Sequence, residues 1–528
     1  MILSISVVER IVMDYKHRLL LILVLTGEIG ISNLVRHDMN WEDYEDFAMN
    51  RGKYSIGRKD VKVYRKDGTE SGTIDKPIPN FDGVVDTGNF ALWGDYQILS
   101  GVHHVAPPKN FTFSKRHFRN DVELFEGYKN LKLDEKYEKF SESIEVAHRQ
   151  QVEHDYALLR TDRVAFDAYV TEGVTKDQWD KIGVGDLVAR VGRGLNRVAV
   201  DNGKEKDPDK MQHFAGGLNK ITGRKDIGLG RDVQTSLEKT AKTSLDSGAK
   251  KGDSGSPLFW WDKEKNQWFI AGSLSRGDAV GGYGRKLYYL AHLSSYESLK
   301  ENTTDKEISK DTEGDVKFEN GVLKVDGEER KFKNKETISV NGNNTTKNQI
   351  FNKKGLEVKV EGNTNTYAAR LEFKEDTTLK GSGTLETAGF VVHKNKTLTY
   401  EISSNTSSTK GETKKITVRK VGEGKLVIKS TGKNIEHLNL GGGETELQNN
   451  DGPVADNIRL AQGAKLTITK ESQIKDSNVM FGHRGGTLNL NGTDLEFKDI
   501  YHMDKDAKIV NENGTENGSS DKTPKFQK

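Results

Sequence analysis

The chain has 528 residues, too many for one compact core, so two or more domains are expected. Lys+Arg 81 against Asp+Glu 79 leaves a formal net charge of +2, which gives no footing for nucleic acid or an anionic membrane as a partner. The absence of cysteine excludes disulfides, thiolate metal sites and a Cys nucleophile, and 54 glycines with only 34% hydrophobic residues suit turn-rich β structure.

Residues 1–34 read as a leader. Lys16-His17-Arg18 precedes an apolar run, Leu19 to Thr26. That run is short of the ~20 residues that span a bilayer but fits the ~7–15 of a signal-peptide core. The competing reading is a buried N-terminal strand or helix, favoured by the long stretch ahead of the run and by Glu28 after it.

Residues 35–300 form the first predicted domain. All six tryptophans and six of the eight prolines fall before residue 300. Val61-Lys62-Val63-Tyr64 leads into Arg65-Lys66-Asp67-Gly68, a strand entering a hairpin turn. Ala91-Leu92-Trp93, Gln97-Ile98-Leu99 and Trp268 to Gly272 read as further strands, and long periodic helices are missing. The domain is expected to be antiparallel β. A polar bridge from Ser294 to Glu319 marks its end, with 301–320 taken as linker.

The texture then changes. Leu356-Glu357-Val358-Lys359-Val360-Glu361, Leu371-Glu372-Phe373-Lys374 and Leu488-Asn489-Leu490-Asn491 alternate apolar and polar residues, each followed by turn residues. Many short strands with few aromatics predict a solenoid of stacked rungs over 321–528, with a β-sandwich as the alternative. No fixed repeat length is visible.

The chemistry centres on Lys251-Gly252-Asp253-Ser254-Gly255-Ser256-Pro257-Leu258-Phe259. A hydroxyl needs a base to take its proton and donors to hold the oxyanion. Glycines on both sides of Ser254 permit a turn that aims the N–H groups of Gly252 and Ser254 at one point. Upstream, Gln97 to Val105 is a strand ending in small residues that delivers His103 and His104, and spacing alone does not choose between them. The orienting acid is expected between these histidines and Ser254. Asp155, followed by the apolar strand Tyr156-Ala157-Leu158-Leu159, fits best, with Asp162 and Asp167 as competitors. The strand after the nucleophile loop is expected to line the substrate pocket through Ser275, Arg276 and Gly277, with Asp246 a candidate for the pocket base. No metal and no cofactor are expected.

Together these strings resemble the serine protease autotransporters of Gram-negative bacteria (peptidase family S6), the group of the IgA1 proteases and the Haemophilus adhesion and penetration protein. The resemblance also rests on Val35-Arg36-His37-Asp38, Asp46-Phe47-Ala48-Met49-Asn50-Arg51-Gly52-Lys53-Tyr54, Lys420-Val421-Gly422-Glu423-Gly424-Lys425-Leu426 and Phe481-Gly482-His483-Arg484-Gly485-Gly486-Thr487-Leu488. It implies an all-β chain, a chymotrypsin-like double β-barrel followed by a right-handed parallel β-helix. It also implies the triad His103, Asp155 and Ser254, with His104 standing where the family has asparagine.

The implied activity is that of an exported serine endopeptidase acting on host or surface proteins as a monomer, meeting a membrane only during export. The alternative is an adhesin with a vestigial protease domain. Asn511 to Lys528 shows no amphipathic membrane strands, so the family's C-terminal translocator barrel is expected to be absent from this chain.

Overall fold

A computed structural model of the chain describes residues 33–513 apart from 119–131, 152–154, 194–195, 202–203, 208–213, 228–229, 251, 279–281, 334–345, 404–414, 431–434, 451 and 496–498. The leader reading over 1–32 and the polar tail from 514 lie outside the described residues.

The second half of the first domain is a closed barrel of six strands. Its order is Ala215–Ile227, Gly230–Ser236, Lys286–Ala291, Gln267–Gly277, Pro257–Asp262 and Leu187–Gly192, which returns to the first. Closure explains its composition. Pro257–Asp262 is buried at every position and Gln267–Gly277 from Trp268 to Ser275, so neither strand shows a polar alternating face.

The first half is an open five-stranded sheet: Ala91–Leu92, Ile98–Val102, Tyr156–Thr161, Ile144–Gln151 and Asn110–Phe111. Of the two barrels expected, one is thus closed and the other is an open sheet among the described residues. It has a core of its own, in which Phe90, Leu99, Phe111, Phe113 and Leu159 pack together.

Parallel strands form the stem. Two long sheets, of nine and eleven strands, run its length; apart from Val322–Val325 and Glu328–Lys331, which add antiparallel at one end of the larger sheet, each strand pairs in parallel with the next rung. That pairing excludes the sandwich alternative, whose sheets are antiparallel. Ile458 sits beneath Val479, and Val479 beneath Ile500, so these rungs are 21 residues apart. Rungs containing 334–345 or 404–414 are longer, which hides the repeat from a search at fixed spacing.

The strict alternation of Leu356–Glu361 is one inward, one outward, with Val358 and Val360 fully buried. Inside, Phe351 and Phe373 stack with centroids 5.0 Å apart. Outside, Lys425 pairs with Glu446 on the next rung, as does Lys396 with Glu375.

The linker reading of 301–320 needs correction. Ile308 already pairs with Phe351, and Val316–Glu319 pairs with Leu356–Glu361. Val316 and Phe318 are buried between charged neighbours, so a segment polar in composition is a rung in pattern.

The open sheet of the first domain leans on the stem. Arg370 grips Asp95 with two bonds of 2.5 and 2.7 Å, and Gln97 Nε2 donates to Ala368 O. Arg419 holds Glu142 at 2.7 and 3.0 Å. Burial opposes ionisation of Glu142, yet Arg419 overcomes it and draws the carboxyl down to about 2. Val164, Phe166, Val391, Val421 and Ala461 form an apolar seam beside these pairs.

Candidate active site

The loop carrying Ser254 is over-determined. Gly252 and Gly255 take φ values of +106° and +86°, which side-chain-bearing residues rarely adopt. A Cβ on Gly255 would lie 2.2 Å from the carbonyl oxygen of Asn89. The Asn89 amide nitrogen donates to the carbonyls of both Gly252, at 2.9 Å, and Ser254, at 2.7 Å. These two bonds hold the carbonyls on one side of the loop. Among the described residues neither Gly252 nor Ser254 donates its backbone N–H elsewhere, so both remain available for an oxyanion.

Between them, Asp253 turns inward. Its carboxylate meets Arg190 at 2.7 Å with both side chains fully buried. Arg190 also donates to Asn33 Oδ1 and Gly248 O. Burial pushes the Asp253 carboxyl up to about 6, against the pull of Arg190. Gly192 leaves the room this requires, since a Cβ there would lie 2.4 Å from Asp253 Oδ1. Asp253 and Arg190 are residues whose role the sequence did not disclose. The only signal was an aspartate in an otherwise small, flexible string.

On the opposite side, the strand Ile98–Val102 pairs with Tyr156–Thr161 so that Val102 faces Tyr156. One residue further on, His103 N–H donates to Asp155 O, and Arg149 donates to His103 O at 2.6 Å. His103 is therefore bound through its backbone. The Asp155 backbone is left-handed, with φ 69°, and its carboxylate faces the next residue, His104.

His104 donates its backbone N–H to Asp155 Oδ1 at 3.0 Å. Its Nδ1 lies 2.8 and 2.7 Å from the two carboxylate oxygens. The structure thus brings the His104 ring, not that of the expected His103, to the Asp155 carboxylate. Adjacent side chains at a strand end diverge, and only one ring can reach the acid. His154, beside Asp155, lies outside the described residues.

One strand ties both halves together. In Gln267–Gly277, Leu274 receives the Gly255 N–H on its carbonyl at 2.6 Å and donates its own N–H to Ser256 O at 2.9 Å. The next residue, Ser275, donates its hydroxyl to Asp155 Oδ2 at 2.9 Å. Ser275, expected to line a pocket, thus spends its hydroxyl on the acid. Across the same junction Ser273 Oγ donates to Ser100 Oγ at 3.3 Å. Among the described residues Ser254 Oγ has no hydrogen-bond partner.

The pocket candidates divide. Asp246 is 1% exposed and spends its carboxylate on Lys242 N and Thr243 Oγ1 of its own loop, so the pocket-base reading is corrected to a structural one. Arg276 is exposed, pairs with Asp232 at 2.8 Å and lies over the Tyr288 ring. Gly277 packs against Arg285, which a Cβ would strike.

The family model for immunoglobulin A1 protease matches residues 32–293. The IgA-specific serine endopeptidase autotransporter of Neisseria gonorrhoeae is 28% identical over 536 residues, covering 91% of this chain and 33% of its own length. The adhesion and penetration protein autotransporter of Haemophilus influenzae is 25% identical, covering 90% and 37% respectively. The chain spans about a third of the length of the curated relatives it matches. The crystal structure of the Haemophilus influenzae Hap adhesin has the same fold, with a TM-score of 0.70 at 21% identity over 90% of this chain and 54% of that one.

Proposed function

We propose, for a chain that belongs to the immunoglobulin A1 protease family of serine protease autotransporters, that it is an active serine endopeptidase using Ser254, His104 and Asp155. The observation that carries this reading is the Asp155 carboxylate, which accepts from the backbone and ring of His104 and from Ser275. With Nδ1–H donated to Asp155, the His104 Nε2 lone pair is the base.

His104 takes the Ser254 proton as Oγ attacks the scissile carbonyl, and the oxyanion is held by the N–H groups of Gly252 and Ser254. His104 then gives the proton to the leaving amine, and water hydrolyses the acyl-enzyme by the reverse sequence. Asp155 stays ionised and steadies the imidazolium.

The substrates are proteins met at or beyond the surface of a Gram-negative cell, in keeping with relatives named as autotransporters. A basic P1 preference set by Asp246 is not part of the proposal, because that carboxylate is engaged inside its loop. Casein or peptide-library turnover by the purified chain tests the reading. Turnover lost in Ser254→Ala supports it, and no turnover by folded wild-type protein contradicts it.

The likeness to the adhesion and penetration protein of Haemophilus influenzae favours one other reading, a binding passenger. Surface binding retained in Ser254→Ala without any wild-type turnover would favour that alternative.

A further inference from the structure

Three ligand-type side chains from distant parts of the chain meet where the protease domain rests on the stem. Asp82 precedes the open sheet, His117 lies in the short helical turn Lys115–Phe118, and His483 follows the stem strand Asn478–Phe481. Asp82 and His483 are almost fully buried. The rings of His117 and His483 stack with centroids 3.8 Å apart and planes 15° apart. His483 Nε2 is 2.9 Å from Asp82 Oδ1. One ligand atom from each residue lies within 4.8 Å of the other two.

A second observation is independent of that convergence. His117 Nε2 is buried and, among the described residues, has no hydrogen-bond partner. A buried ring nitrogen left unpaired is costly, and native structures rarely leave one without reason.

The surroundings suit a ligand set. Asp82 Oδ2 accepts from Arg484 Nε at 2.9 Å and Gln462 Nε2 at 3.2 Å. Arg484 Nη2, at 3.2 Å, leans toward Oδ1, the oxygen that faces the histidines. Behind His483, Asp504 Oδ2 lies 3.9 Å from Nδ1, the position of a carboxylate that fixes a ligating imidazole. Asp504 is itself held by the Arg484 backbone N–H at 3.1 Å.

We propose that Asp82, His117 and His483 form a binding site for a divalent transition-metal ion of the zinc class, which clamps the protease domain to the stem. Two imidazoles and one carboxylate select such an ion over calcium or magnesium, which take oxygen ligands. On binding, the ion takes Asp82 Oδ1 and one ring nitrogen from each histidine. The proton shared between His483 Nε2 and Asp82 is released to solvent, and water completes the coordination. The sequence reading expected no metal because positions 82, 117 and 483 share no local motif.

Titration of the metal-stripped full chain with Co²⁺, read by visible absorption, tests this independently of protease activity. Ligand-field bands should saturate at one equivalent and disappear when Zn²⁺ is added. His117→Gln and Asp82→Asn should each weaken Co²⁺ binding by roughly 10²-fold or more. An unchanged titration in both variants overturns the site, as does the absence of saturable bands at one equivalent in the wild type. If either variant fails to fold, the wild-type titration decides alone.

Discussion

The two halves of the protease domain hold their catalytic candidates by different means. The nucleophile half is a closed barrel whose key loop is fixed from within by the buried Arg190–Asp253 pair and from the open-sheet half by the Asn89 amide. The histidine half is an open sheet that borrows a wall from the stem, through Asp95–Arg370 and Glu142–Arg419. Its His104 is 47% exposed, held by one carboxylate and its own backbone. On the proposed reading, the oxyanion donors are preset by the loop, whereas the base depends for its placement on a sheet that the stem supports. The stem then serves as a wall for the open sheet.

The largest expected effect is chemical. Ser254→Ala and His104→Ala should each cost roughly 10⁴-fold or more in kcat/KM on a peptide substrate, whereas His103→Ala should stay within about tenfold. Next comes the barrel's own fastening. Arg190→Met leaves Asp253 buried without a partner, and loss of one member of a buried pair costs about 3–5 kcal/mol. Denaturant unfolding should show that loss in the midpoint. A midpoint near the wild type would mean that the loop is fixed by something other than this pair.

Acid probes the other half. The folded Glu142 carboxyl sits at about 2 against an ordinary 4.5, so it contributes stability that is present above about pH 4.5. That contribution, about 3 kcal/mol, is lost as pH falls from there toward 2. Glu142→Gln should flatten this acid loss in thermal melts followed between pH 5 and 2. An identical pH dependence in the variant would remove Glu142 from the account.

Smaller still is Asn89→Ala, which removes two bonds to loop carbonyls. It should lower kcat about 10–100-fold with KM little changed, since the oxyanion donors lose their alignment only in the transition state. Asp246→Asn should leave the preference for basic, acidic or neutral P1 residues unchanged in a peptide-library profile, and a lost basic preference would restore its pocket role.

Much of this was legible in the chain because it is local. Val358 and Val360 are buried and Glu357 and Lys359 exposed, as strict alternation demands. The glycines around Ser254 announce a turn, and they do take positive φ. What failed to show was whatever depended on distant partners. The choice between His103 and His104 rests on the left-handed backbone of Asp155 and on Ser275, 120 residues beyond it. Arg190 and Asn89 sit in ordinary strand and loop sequence. Asp246, a candidate for the pocket base, is the exception: its partners, Lys242 N and Thr243 Oγ1, are close in sequence and meet its carboxylate through a loop turn that no residue pattern announced. The polar span ending at Glu319 misled by composition, since two buried side chains suffice to make Val316–Glu319 a rung.

The central claim is that His104, held by Asp155, activates Ser254. Fluorophosphonate labelling with peptide mapping, run in parallel on wild type, His103→Ala and His104→Ala, tests it most directly. The account predicts Ser254 labelled at near wild-type rate in His103→Ala and essentially unlabelled in folded His104→Ala. Labelling that survives in His104→Ala and vanishes in His103→Ala would contradict it.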